Sequence, residues 1–183
     1  MNVIETIQTN LGLMPLKKID PNTLEITGDQ VDLGNTALAQ AGIPAILLGI
    51  YNRLELDPDF STLQADSGRM LEKIFGKSKD VVIKKIKIYS KIKDDNSEQE
   101  LEHIASESIR VIKEKTGKAT NENAIRNFVA ANKPDILLYL PPSLDLGILL
   151  QNNNLDDRTG KMEGPVSTLV HHLEKIFNTS DKI

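Results

Sequence analysis

Apolar residues recur every three or four positions along most of the chain, which is the spacing of one face of an α-helix. The first stripe consists of Val3, Ile4, Ile7 and Leu11. Gly12 follows it and predicts the end of that helix. Residues 14–32 contain two prolines and scattered polar residues, so they predict a loop with a short strand at 24–27.

Residues 34–54 have helical character, but Gly42 and Pro44 interrupt it. A proline inside a helix removes a backbone hydrogen bond and clashes with the preceding turn. The sequence therefore predicts two helices here, at 34–41 and 44–54. Asp57 before Pro58 is the pattern of a helix N-cap followed by its first residue. A further helix is expected from there to Gly76.

Residues 79–93 fit two patterns. Val82, Ile86 and Tyr89 have helical spacing, whereas Ile86, Ile88 and Ile92 alternate as in a strand. We favour a helix, because no turn signal nearby offers a partner strand.

The second half of the chain has the same helical character. Ser97 and Glu100 form a capping-box pattern before an apolar face that ends at Gly117. A shorter helix is expected around 124–129, and Pro134 is expected to open a separate apolar run at 136–140. Two consecutive prolines then predict a break, a short helix at 143–150, a polar loop at 152–164 and a last helix from 165.

The two halves resemble each other. Residues 41–56 align without gaps with residues 131–146, and the pentapeptide Leu-Glu-Lys-Ile-Phe at 71–75 recurs at 173–177. We interpret this as an internal duplication, although Leu-rich helices also resemble one another by chance. The prediction is an all-α, multihelical fold with two similar helical subdomains in one globular unit. Its parts are an N-terminal helix and loop at 1–33, a first repeat at 34–93 and a second repeat at 94–183.

These motifs resemble the YidB-like family of bacterial proteins of unknown function. The family pairs apolar helices centred on proline with a Gly-x-x-Leu-x-x-Ile-Phe-Gly signature, an acidic turn and a final helix ending in Phe. The matching segments are Ile43–Tyr51, Gly68–Gly76, Lys133–Leu140, Asp156–Gly160 and Leu173–Phe177. The acidic turn departs from the family's usual Asp-x-Asp-Gly. The resemblance spans roughly residues 35–178 and implies a multihelical fold with no known activity.

Composition limits the function further. Apolar residues make up 39% of the chain and aromatic residues 4%, so an aliphatic core is expected. Cysteine is absent, which excludes disulfides, thiolate metal sites and a cysteine nucleophile. The first residues lack a basic and apolar signal pattern, and the longest apolar stretch, 43–50, is too short to span a bilayer. We therefore expect a cytoplasmic protein without a membrane span.

The lysine-rich segment 77–93 is the strongest candidate for a binding site. It contains seven lysines and one acidic residue, Asp80. On a helix, Lys84, Lys87 and Lys91 share one face, which could bind nucleic acid or an anionic membrane. The favoured interpretation is a solvated face, because the net charge of −4 makes nucleic-acid binding unlikely as a property of the whole domain, and the acidic segment 94–107 follows directly.

No other pattern predicts chemistry. His171 and His172 are adjacent and diverge on a helix, and His103 is distant in sequence, so no metal site is expected. The loop 152–160 fails the calcium-loop pattern, and phosphate-binding and nucleophile-elbow motifs are absent. We predict no catalytic residue, no cofactor and no metal. The expected function is that of a non-catalytic structural or interaction protein, with a protein partner or a second copy. The alternative is an anion-binding module.

Overall fold

The protein folds as a set of packed α-helices. The structure is a computed structural model, and it describes residues 2–19, 34–64, 69–92, 96–117 and 122–151. Over these residues the chain forms eight α-helices and two 3₁₀ turns, with no strand, which confirms the all-α prediction. The helices are α1 Val3–Leu11, α2 Asn35–Leu56, α3 Ser61–Gln64, α4 Met70–Phe75, α5 Lys79–Ser90, α6 Ser97–Thr116, α7 Glu122–Leu137 and α8 Leu146–Leu149. The 3₁₀ turns are Gly76–Ser78 and Pro142–Leu144.

Helix α2 is the centre of the fold. Every residue from Ala37 to Ile50 is buried, and α2 packs against α4, α5, α6 and α7. A helix that is apolar on all sides must be covered on all sides, and this segment has almost no polar face. Gly42 and Gly49 allow close approach: a Cβ at Gly42 would meet Leu101, and one at Gly49 would meet Ile74 and Phe75.

The predicted break at Gly42 and Pro44 is wrong, because α2 runs through both residues. Proline in a helix interior costs about 3 kcal/mol. Burying one aliphatic side chain contributes about 1.5–3 kcal/mol, and Ile43, Ile46 and Leu47 around the proline are all buried. The local cost is therefore offset by packing that the local pattern does not reveal.

Pro134 likewise lies inside α7 and does not open a separate helix. The helix continues for three residues after it and ends at Leu137. The predicted break at Pro141 and Pro142 is confirmed, since a 3₁₀ turn begins at Pro142.

The helix ends agree with the prediction where glycine is required. Gly12 and Gly117 follow α1 and α6 with φ of +65° and +68°, in the region that favours glycine. Two predicted N-caps are wrong. Ser97 is the first residue of α6, which has no side-chain cap. Asp57 ends α2 and pairs with Arg53, and the next helix, α3, starts at Ser61.

A capping box that the sequence analysis missed opens α1. The Glu5 amide donates to Asn2 Oδ1 at 3.0 Å, and the Asn2 amide donates to Glu5 Oε2 at 3.1 Å. Asparagine satisfies the free amides of the first turn as well as serine does. The apolar spacing of α1 does not reveal this cap, whereas Asn2 followed three residues later by Glu5 is the pattern that predicts it.

The buried Gln40 side chain of α2 makes three hydrogen bonds that hold the segment after α1. Its Oε1 accepts from the Lys17 amide at 2.8 Å, and its Nε2 donates to the carbonyls of Lys17 and Tyr139 at 3.0 and 2.9 Å. The Ile19 amide also donates to the Leu138 carbonyl at 2.7 Å. These bonds attach the N-terminal segment to the centre of the fold.

The internal duplication is not confirmed. Residues 41–56 are continuous helix, whereas residues 131–146 leave the helix after Leu137 and pass through a 3₁₀ turn. Buried residues from both predicted repeats form one hydrophobic core. Phe75 is buried, but the second pentapeptide, the last predicted helix, the loop 152–164 and the predicted strand at 24–27 lie outside the described residues.

Candidate functional site

Helix α5 carries the lysine-rich segment, and its helical interpretation is confirmed over Lys79–Ser90. Val82, Ile83 and Ile86 are buried against the core, and Tyr89 is half-buried. The helix packs on α2 and α4 and ends at Ser90, and Lys91 after it has a left-handed φ of +53°. The inward face is therefore the one that the spacing predicted.

Two of the lysines form ion pairs that attach α5 to its neighbours. Lys79 Nζ lies 3.0 Å from Glu98 Oε1 of α6, and this hydrogen bond raises the pKa of Lys79. Lys85 Nζ lies 2.7 Å from Asp145 Oδ2, just before α8. Glu98 belongs to the acidic segment that the sequence predicted would offset the lysines, so it does so at one position.

The three candidate anion-binding lysines lie on the outer side of α5. Lys84 and Lys91 are exposed, and Lys87 is half-buried. No residue in the described part of the chain forms an ion pair with Lys84, Lys87 or Lys91. Lys77, in the preceding 3₁₀ turn, is exposed in the same way. The fold thus places Lys84 and Lys87 within one turn of each other and Lys91 one turn further on.

Two large apolar side chains are exposed among these lysines. Val81 is 45% exposed and Ile88 is 65% exposed. Ile88 lies seven positions after Val81 on the helix, so the two residues are about 20° apart around the helix axis and about 10 Å apart along it. Lys84 lies between them, and Lys91 follows. We call the line of Val81, Lys84, Ile88 and Lys91 the outer stripe.

Helix α8 borders the outer stripe on one side. The Ser78 hydroxyl donates to the Leu149 carbonyl at 3.0 Å, and Lys85 pairs with Asp145 at the other end of α8. Ser78, Val81 and Lys85 share one side of α5 because they are spaced by three and four residues. Val81 therefore lies between the two contacts along α5, and Ile148 of α8 is also exposed, at 70%.

The sequence analysis missed Val81, Ile88 and Ile148. Helical spacing predicts the buried side of α5, but on the opposite side it draws attention to the lysines and not to the aliphatic residues between them. The signal that would have found the first two residues is their separation of seven, on the side opposite to Val82 and Ile86. The position of α8 could not be predicted, because it depends on a tertiary contact.

The remaining candidates for chemistry lie elsewhere or outside the described residues. His103 is exposed on α6, whereas His171 and His172 are not described. Over the described ranges, no three His, Asp or Glu side chains come together in a way that could hold a metal ion. Among the helices described, none combines the length and apolar character needed to cross a bilayer.

Comparison with known proteins adds no relative. No protein-family model matches the chain, no curated protein matches it, and no solved structure matches it. A function therefore has to be inferred from the residues of this chain alone.

Proposed function

We propose that the protein is a non-catalytic interaction protein and that the outer stripe of α5 is its docking surface. The observation that supports this is the exposure of Val81 and Ile88 on one line of a helix. Single exposed apolar residues are ordinary on protein surfaces. Two of them at helical spacing, on one line of α5, fit a surface that a partner covers.

The alternative function is anion binding through Lys84, Lys87 and Lys91. It is favoured by the fact that no described carboxylate pairs with these side chains. It does not account for the aliphatic residues between them, which add nothing to a phosphate contact. The docking surface explains the lysines and the aliphatic residues together, so we prefer it.

Affinity purification from extracts of the source cells tests the docking proposal, by comparing which proteins bind to the parent chain and to its variants. The full-length chain would be compared with the double variant Val81→Ser with Ile88→Ser. The matched control is Met14→Ser with Leu56→Ser, which changes two side chains that are 67% and 76% exposed elsewhere. We expect a protein that is recovered with the parent and the control but lost with the stripe variant. Equal recovery with all three chains would contradict the docking proposal.

Binding to polyanions tests the alternative. The variant with Lys84, Lys87 and Lys91 all changed to Gln removes three charges without disturbing the core side of α5. If the alternative holds, the parent binds single-stranded nucleic acid or anionic vesicles with a steep salt dependence, and the variant does not. We expect no such difference between the two chains.

A further inference from the structure

We infer that the occupant of the outer stripe is an acidic amphipathic helix of a partner protein. This inference rests on the proposed docking function and names the chemistry of the partner. It follows from the spacing of the exposed residues, from the charge around them and from a comparison with the other candidate occupants.

The spacing is that of a helix-pairing seam. Lys77 lies in the 3₁₀ turn before α5, and Lys91 follows the last residue of the helix. Within α5, Val81, Lys84 and Ile88 are separated by three and four residues. This is the alternation of the two contact positions in a heptad, where one helix packs lengthwise against another. Here one contact position is β-branched and aliphatic and the other is lysine. A partner helix with apolar residues every seventh position would meet Val81 and Ile88.

The positive charge around the outer stripe indicates which other residues the contacting face of the partner carries. Lys77, Lys84 and Lys91 are exposed, and no residue in the described ranges forms an ion pair with them. A docked helix covers the aliphatic stems of these lysines while their ammonium groups stay at the rim. Carboxylates on the partner would then be complementary, as at the flanking positions of paired helices. Lys85 is already paired with Asp145, so it contributes less.

A second copy of this chain fits poorly. Pairing two identical outer stripes would bring Lys84 and Lys91 of both copies together, with only the exposed Asp80 of each copy as a nearby carboxylate on α5. Like charges placed together across an interface disfavour that pairing. The helix that the sequence predicts from residue 165 offers little negative charge, because residues 165–177 contain a single acidic residue, Glu174.

A lipid surface is also disfavoured. Helices that lie in a membrane interface present large apolar residues such as Trp, Phe and Leu to the lipid, with lysines on the polar side. In α5 the exposed apolar residues are Val81 and Ile88, and Lys84 lies between them in the middle of the exposed line. Insertion of this line would bury a lysine, whereas a protein helix can place a carboxylate opposite it.

The test measures binding of two labelled synthetic helices to the full-length chain by fluorescence anisotropy. The acidic peptide is about three heptads long, with Ile at every seventh position and Glu three and four residues away from each Ile. The neutral peptide has Gln in place of every Glu. The protein variants are Ile88→Ser, the pair Lys84→Gln with Lys91→Gln, and the control Leu56→Ser.

We expect the acidic peptide to bind the parent and the control equally. Binding should weaken about tenfold with Ile88→Ser and about tenfold with the paired Lys→Gln change, since about 1.4 kcal/mol corresponds to a factor of ten. The neutral peptide should bind the parent about tenfold more weakly. Raising the salt from about 0.1 M to about 1 M should remove most of the difference between the two peptides, because the Debye length falls from about 10 Å to about 3 Å.

The failures of the two proposals can be told apart. Equal binding of both peptides, lost with Ile88→Ser but unchanged with the Lys→Gln pair, would overturn the acidic partner and leave the docking surface in place. Peptide binding that is unchanged by Ile88→Ser would argue against both. Absence of any peptide binding would overturn the acidic helix, and the docking surface would then depend on the recovery experiment.

Three further measurements assign the surface to another occupant and would each overturn the inference. The first is binding to phosphatidylserine vesicles that weakens with Ile88→Ser. The second is a dimer of the parent, seen by sedimentation, that Ile88→Ser dissociates. The third is tighter peptide binding after Leu169→Ser with Leu173→Ser in the full chain, which would mean that the C-terminal segment covers the outer stripe. We expect none of these three results.

Discussion

The α-carbon of Gly49 lies against the ring of Phe75, because α2 has no side chain at this point of its contact with α4. A Cβ at position 49 would lie 2.6 Å from Ile74 Cγ2 and 3.0 Å from Phe75 Cζ. Such distances are too short for carbon atoms in a packed core. The contact positions α4, and through it the turn that leads into α5.

Gly49→Ala should therefore destabilise the protein. We expect a loss of about 1–3 kcal/mol in the free energy of unfolding, because a ring and a branched side chain must both shift. The control is Gly42→Ala in the same helix, where the nearest atom is Leu101 Cδ2, the end of a flexible side chain. Urea unfolding should rank Gly49→Ala well below Gly42→Ala. Equal stabilities of the two variants would mean that the contact between α2 and α4 at Gly49 is looser than these distances indicate.

The two sides of α5 should respond differently to the same truncation. Ile86→Ala removes a side chain that is 1% exposed and should cost about 2–5 kcal/mol. Ile88→Ala removes one that is 65% exposed and should change stability by less than about 0.5 kcal/mol. Thermal or urea unfolding of both variants checks this. A large loss from Ile88→Ala would show that Ile88 is covered in the free protein, which would remove the basis of the outer stripe.

Gln40→Leu should loosen the N-terminal segment. The change removes three hydrogen bonds and leaves the backbone groups of Lys17 and the Tyr139 carbonyl without this partner, at about 2–3 kcal/mol in all. Hydrogen exchange at the Lys17 amide should become faster. The control is Gln8→Leu, which loses one bond, to the Met14 carbonyl, and should cost less. Unchanged exchange at Lys17 would contradict the role of Gln40.

Glu107 should make stability depend on pH. The hydrogen bonds from Arg110 and, to a smaller extent, from Asn10 of α1 lower the pKa of Glu107 below its usual 4.5. A carboxyl whose pKa is lower in the folded state contributes stability above its unfolded pKa, and the contribution is lost as the pH falls through the folded value. Glu107→Gln should therefore cost about 1–2 kcal/mol at pH 7, and this cost should shrink steadily as the pH is lowered from 4.5 towards 3.

The matched control for Glu107 is Glu114→Gln. Glu114 pairs with the same Arg110, but its side chain is 65% exposed and it forms no described bond to α1. Its replacement should change stability little at either pH. Urea unfolding of the parent and both variants at the two pH values checks this pair. A constant difference for Glu107→Gln would contradict the lowered pKa.

The parts of the fold that local chemistry determines could be predicted from the sequence. Gly12 and Gly117 end their helices because a left-handed residue is needed there. The buried side of α5 follows from the spacing of Val82 and Ile86. The continuity of α2 could not be predicted, because the cost of Pro44 is local whereas the burial that offsets it comes from four other helices.

Only part of the candidate site could be predicted, because the sequence reveals local patterns but not tertiary contacts. The lysines of α5 are visible in the sequence, and their exposure follows from the cost of burying an unpaired charge. The exposure of Val81 and Ile88 depends on how the other helices pack around α5, and α8 lies beside α5 through the contacts of Ser78 and Lys85. Such contacts between distant segments leave no periodic signal in the chain.

Amide chemical-shift mapping of the full-length chain with the acidic peptide is the decisive test of whether the outer stripe is the docking surface. We predict that the largest shifts occur at residues 77–91 and 145–149, and that they disappear with Ile88→Ser. The Leu56→Ser control should shift like the parent. Shifts centred on another surface, such as α1 with α6, or unchanged shifts in the Ile88→Ser variant, would contradict the assignment of the outer stripe as the docking surface.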